Sequence, residues 1–263
     1  MKSKGLTTPV SSILLISSFT IIILATYNIA VSAVNIRSYR LNYAAAKHEM
    51  LALEDAIHSV SWSPKSSIII KFHGYGGEFE VNPDGRRLII NVSDGSTSAI
   101  IFNSTIGYVE YELPAADRGE VGWYLRGSSE PIVNQSFREA AQMYIRVNGN
   151  EQKIYLGYRP LVFSYTEDSD EGMVNVIRIL VTNLNSSENI LSSGSFQVRI
   201  RCLNITGWTR RYSINGSLSS INVKAIVDGN AGSVILPLLS EGDLTLIRLE
   251  LLICNLKIEK VIG

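Results

Sequence analysis

Residues 6–36 (LTTPVSSILLISSFTIIILATYNIAVSAVNI) contain no charged side chain, and their apolar positions follow no helical stripe. A helix that is apolar on every side belongs in hydrocarbon or fully surrounded by other helices. At about 1.5 Å rise per residue, a stretch of roughly 30 residues more than spans the hydrocarbon core of a bilayer. The pattern predicts a transmembrane or assembly helix over 6–36. Val10, Ile13, Leu14, Leu15, Phe19, Ile21, Ile22, Ile23 and Leu24 form its apolar body.

At Ile36 the pattern changes. Ile36, Tyr39, Tyr43, Ala46, Met50, Leu53, Ile57 and Val60 recur at alternating spacings of three and four, with Arg37, Arg40, Lys47, Glu49, Glu54 and Asp55 off that stripe. This is the period of an amphipathic helix with one buried seam. No proline or glycine interrupts residues 10–60, and Pro64 disfavours helix at the residue before it. One helix from about Pro9 to about Val60 follows, with 37–62 as its amphipathic continuation and the seam packed on a head. The alternative is a membrane helix followed by a separate coiled-coil stalk.

From residue 65 to 263 the texture is short β-rich runs between turn residues. Gly77–Val81 and Arg87–Val92 flank Asn82-Pro83-Asp84-Gly85, a hairpin signal, and Asn148-Gly149-Asn150 marks a second hairpin tip. Ile154–Val162 reads as one strand, and Leu244–Ile258 as a final strand that could close the sheet. Ser136-Phe137-Arg138-Glu139 has capping-box spacing, making 134–142 the one expected helical turn of the head. Asp168–Gly172 is the nearest thing to a domain break. The fold class is α+β: one long N-terminal helix followed by a mostly antiparallel, β-sandwich-like head.

Charge narrows the partners. Lys+Arg and Asp+Glu number 24 each among 263 residues, so no basic excess draws the chain to nucleic acid. Cys202 and Cys254 are the only cysteines and belong to no metal-ligand spacing; they are either a disulfide or two separately buried thiols. Asn-X-Ser/Thr sequons stand at Asn91, Asn103, Asn134, Asn185, Asn204 and Asn215, all beyond the apolar segment. That placement fits a glycosylated, extracytoplasmic surface, and chance composition is the competing explanation.

The N-terminus admits three readings. Lys2 and Lys4 before the apolar run, with Val31-Ser32-Ala33 after it, give a secretory signal, although the run is long for one. An uncleaved anchor is the second. The third starts from Lys4-Gly5 standing directly before the run, with Thr7-Thr8 as N-cap hydroxyls and Pro9 in the first helical turn. Over about 60 residues, the stretch Lys4-Gly5-Leu6-Thr7-Thr8-Pro9-Val10-Ser11-Ser12-Ile13-Leu14-Leu15 resembles archaeal type IV pilins and archaellin-like proteins with a class III signal. The resemblance implies cleavage after Gly5 by a prepilin-type peptidase, a mature chain beginning at Leu6, and assembly with other pilin-like subunits as a homo- or hetero-oligomer. It departs from bacterial pilins, which carry a glutamate near this helix start where Val10 and its neighbours are uncharged. The head is larger than that of typical major pilins of the group.

Little in the chain points to catalysis. His48, His58 and His73 are the only histidines, and none pairs at i, i+4. Gly74-Tyr75-Gly76-Gly77 precedes no Gly-Lys-Ser/Thr and opens no helix, so a bulge or turn explains it better than phosphate binding. Asp168 and Asp170 are a weak Ca²⁺ candidate, set against a solvated hairpin tip. No cofactor is expected and no enzyme activity. The expected role is a minor or adhesive pilin-like subunit, membrane-anchored with its head extracytoplasmic, at the cell surface or in a filament. The rivals are a non-polymerising single-pass binding ectodomain (a receptor or carbohydrate-binding head) and a secreted protein released at Ala33.

Overall fold

The computed structural model describes residues 7–114, 122–134, 140–148, 151–170, 172–240 and 244–261. Helix α1 runs Thr7–Val60 without interruption, as the absence of proline and glycine from its interior allows. The chain divides into two compact units, Met1–Ala44 and Ala45–Gly263, so the division falls inside the helix. The Asp168–Gly172 segment is no domain break, because both of its sides belong to the second unit.

The first unit contains the apolar part of α1. In the second, Ala46, Met50, Leu53, Ile57 and Val60 are buried with at most 1% exposure, and Ala56 joins them. The remaining seam residues lie in the first unit: Ile36 and Tyr39 are 48% exposed and Tyr43 is half-buried.

The second unit is a single twelve-stranded sheet, mostly antiparallel. Its strands are β1 (Ser67–Ser93), β2 (Ser98–Pro114), β3 (Tyr124–Arg126), β4 (Val133–Asn134), β5 (Ala141–Asn148), β6 (Glu151–Tyr158), β7 (Leu161–Ser169), β8 (Gly172–Asn183), β9 (Ile190–Asn215), β10 (Ser220–Val227), β11 (Asn230–Pro237) and β12 (Leu244–Val261). They are ordered β3-β5-β6-β2-β1-β9-β12-β8-β7-β4, with β10 on β1 and β11 on β10. Among the described residues, only β12–β8 and β4–β7 pair in parallel.

The long strands let this sheet act as two layers. Ser67–Val81 of β1 pairs with β9, whereas Leu88–Ser93 pairs with β10. Changing neighbours midway folds the sheet over its own apolar face. Leu88 and Ile90 of β1 and Val223 and Ala225 of β10 then share a core with Ile177 and Ile179 of β8 and Ile247, Leu249 and Leu251 of β12. Along β12 these apolar residues alternate with Arg248 and Glu250, the period-2 pattern of a strand with one buried face.

Three local expectations are corrected. Asn82-Pro83-Asp84-Gly85 is not a hairpin but a bulge within β1. The residues on either side of it both pair with β2, Asn82 opposite Tyr108 and Arg86 opposite Ile106. A bulge is one of the few strand positions that tolerate Pro83. A Cβ on Gly85 would stand 2.0 Å from the Tyr108 ring, so the bulge closes only over glycine. The expected strand Ile154–Val162 breaks at Arg159-Pro160 into β6 and β7, because proline cannot donate to the ladder. The terminal run sits mid-sheet between β9 and β8.

The remaining local features divide between bulge, strand and hairpin tip. The Gly74–Gly77 stretch is a second register shift of β1, between His73 and Glu78. Of the expected helical turn at 134–142, residues 135–139 lie outside the described residues, while Ala141 and Gln142 are already in β5. Asp168 and Asp170 stand at the β7–β8 hairpin tip.

Candidate functional site

The most distinctive surface is the apolar half of α1. The nine residues of the expected apolar body, from Val10 to Leu24, are each 52–66% exposed, and they point in every direction around the axis. Among the described residues this is the one helix long and apolar enough to cross a membrane, with a mean hydropathy of 2.1 over its best window. Four of its polar side chains bond back to the helix's own carbonyls. Ser18 donates to the Leu14 carbonyl (2.8 Å), Thr20 to Ile16 (2.9 Å), Thr26 to Ile22 (2.8 Å) and Asn28 Nδ2 to Leu24 (2.9 Å). Such back-bonding lowers the cost of placing a hydroxyl or amide in hydrocarbon or in a packed helix interior. The expected processing residues, Gly5 and Leu6, lie outside the described residues.

Lower on the same helix the site changes character. Glu49 and Glu54 fall off the 3-4 stripe, yet both are buried. The Glu49 carboxylate accepts the His73 backbone N–H (3.1 Å) and lies 2.8 Å from His73 Nδ1. Glu54 Oε2 is 3.4 Å from Arg126 Nε, and Asp55 Oδ1 accepts from Arg126 Nη2 at 3.3 Å. With His58 these groups line a cleft of about 180 Å³. Burial pushes the Glu54 carboxyl above the ordinary glutamate range, and the Arg126 charge offsets only part of that.

This shift fixes a sign. Below the unfolded carboxyl's pKa both states are protonated and Glu54 adds no pH dependence to stability. As pH rises through the window between the unfolded and folded values, the fold must release a proton it prefers to keep, so stability falls. Glu54→Gln, neutral throughout, is therefore expected to gain on the wild type in melting temperature between about pH 4 and pH 8. Paired thermal melts across that range check it, and a gap that shrinks with rising pH contradicts it.

The other predicted positions are distributed over the head. Cys202 and Cys254 are both buried, with Sγ atoms 3.7 Å apart. Asn103, Asn134, Asn204 and Asn215 are exposed, whereas Asn91 and Asn185 are half-buried. Asn91 accepts the Ser98 hydroxyl, and Asn103 accepts from Arg87. Among the described residues no group of three or more His, Cys, Asp or Glu is placed to hold a metal ion.

A row of tyrosines went unread in the sequence. Tyr108 of β2, Tyr155 of β6, Tyr144 of β5 and Tyr124 of β3 follow one another with centroid separations of 5.0, 4.9 and 5.3 Å. Arg146 lies over both Tyr144 and Tyr155, at 5.0 and 4.5 Å. The row staples four strands by cross-strand ring contacts and cation–π attraction. Only strand register brings these rings together.

The chain matches no family model, no curated protein and no solved structure.

Proposed function

We propose that this chain is a pilin-like surface subunit, a minor or adhesive one. A prepilin-type peptidase cuts its leader after Gly5. The apolar helix is held in the bilayer until assembly and then packs among like helices in a filament, with the head on the extracytoplasmic side. The observation that carries this reading is the all-round exposure of Val10–Leu24 together with the internal satisfaction of Ser18, Thr20, Thr26 and Asn28. A surface of that kind is stable only when covered by lipid tails or by other helices.

Helix packing also has the residues it needs. Ser17, Ser18, Ala25, Ala30 and Ala33 are small and let backbones approach closely, which favours association where no hydrophobic driving force separates helix from lipid. Helix α1 continues without a break from the apolar segment into the stretch that carries the buried residues Ala46, Met50, Leu53, Ile57 and Val60.

The N-terminus of the mature protein tests the proposal. Peptide mass mapping of the natively produced chain is expected to find Leu6 first. A start at Met1 would instead make it an uncleaved anchor, and a start at Val34 a secreted protein.

A further inference from the structure

Beneath the exit of α1, two thiols face each other across neighbouring strands. Leu256 of β12 is the direct partner of Cys202 on β9, and Cys254 stands two residues before it, so both cysteines project from the same face. Both side chains are fully buried, and their sulfur atoms are 3.7 Å apart. That separation is a non-bonded contact; a disulfide needs about 2.05 Å, which leaves under roughly 2 Å to close.

The turn after the helix is docked on this pair. Trp62 N–H donates to Cys254 Sγ at 3.3 Å, Lys65 N–H to the Cys202 carbonyl at 2.9 Å, and Cys202 N–H to the Ser66 carbonyl at 3.1 Å. Trp62 and Lys65 hold φ of 65° and 72°, a left-handed conformation that side chains resist. Docking is what retains the turn in that shape.

We propose that Cys202 and Cys254 form a disulfide joining β9 to β12 under this turn, and that it forms while the head is still folding. The oxidant is a second disulfide, of a small molecule or of a protein. One cysteine thiolate attacks it to give a mixed disulfide and one thiol. The other cysteine thiolate then displaces the second thiol as the Cys202–Cys254 bond forms. Two protons and two electrons leave the chain, and the oxidant is reduced to two thiols. In the finished head neither sulfur reaches solvent, and burial holds the Cys254 thiol well above its ordinary pKa. Both facts starve the reaction of thiolate. The unfolded chain has neither restriction, so the order of folding and oxidation decides the product.

Cell-free synthesis of the full chain into detergent micelles tests this, with oxidised glutathione present during synthesis, added afterwards, or omitted. Free thiols are counted by alkylation in denaturant, and the cross-linked peptide is mapped. Oxidant during synthesis is expected to leave no free thiol and to give a Cys202–Cys254 peptide. Late oxidant is expected to leave both thiols free for at least tenfold longer. The oxidised form is expected to melt about 10 °C above the reduced one, since the bond closes a long loop. A Cys202→Ala variant shows no such shift, and comparison of the two wild-type forms suffices should that variant fail to fold. Two free thiols after synthesis in oxidant, equal rates in the early and late arms, or an oxidised form that melts no higher would each overturn the proposal.

Discussion

A chain shortened to begin at Ala45 is expected to fold as a detergent-free soluble protein, and one shortened to begin at Ser61 is not. The first cut removes only the compact unit Met1–Ala44, in which the apolar residues Val10–Leu24 are exposed. The second removes Met50, Leu53, Ile57 and Val60, each with at most 1% exposure, along with Ala46 and Ala56. Burying a large apolar side chain stabilises by roughly 1.5–3 kcal/mol, so four of them contribute about 6–12 kcal/mol. A whole domain has about 5–15 kcal/mol of net stability. Loss on that scale is most or all of the head's net stability. Solubility and a cooperative thermal melt of the two truncations check this. A folded product starting at Ser61, or an aggregated one starting at Ala45, contradicts it.

How much of this was legible in the sequence depended on how local each cause was. Helix α1 was readable end to end, because its period, its missing breakers and Pro64 all act within a few residues. The seam Ala46–Val60 was readable for the same reason. Burial of Glu49 and Glu54 was not, because what satisfies them comes from His73 and Arg126, far away in the chain. Off-stripe charge on a helix ordinarily means solvent, and only tertiary pairing reverses that.

In the head, composition located most strands but not their neighbours. Asn82-Pro83-Asp84-Gly85 has the chemistry of a turn, yet β2 runs alongside both of its flanks and converts it to a bulge. The central place of β12 depends on long-range pairing with β8 and β9 and leaves no local trace. The tyrosine row shares that origin: Tyr108, Tyr124, Tyr144 and Tyr155 show no spacing that would group them. The contact between Cys202 and Cys254 likewise required the register of β9 against β12.

The second large effect is expected from charge in the apolar helix. Phe19 and Ile23 stand one turn apart, 57% and 65% exposed. Replacing both, as Phe19→Arg with Ile23→Arg, puts two guanidinium groups near the middle of the span. Each costs roughly 2.5–3.5 kcal/mol at the centre of a membrane helix, and together about 6 kcal/mol, on the order of ten-thousand-fold in partition. Packed among other helices the pair fares no better, since two like charges without partners lose their water there as well. The head, a separate compact unit, should keep its melting temperature.

The central claim is that this helix first holds the chain in lipid and then assembles it with others. Sedimentation of fractionated cells measures that most directly, with wild type and the Phe19→Arg/Ile23→Arg variant compared in the membrane pellet and in the high-molecular-weight material sheared from the surface. The wild type is predicted in both fractions and the variant in neither. A variant distributed like the wild type, or a wild type confined to the membrane as a detergent-soluble monomer, would contradict the account.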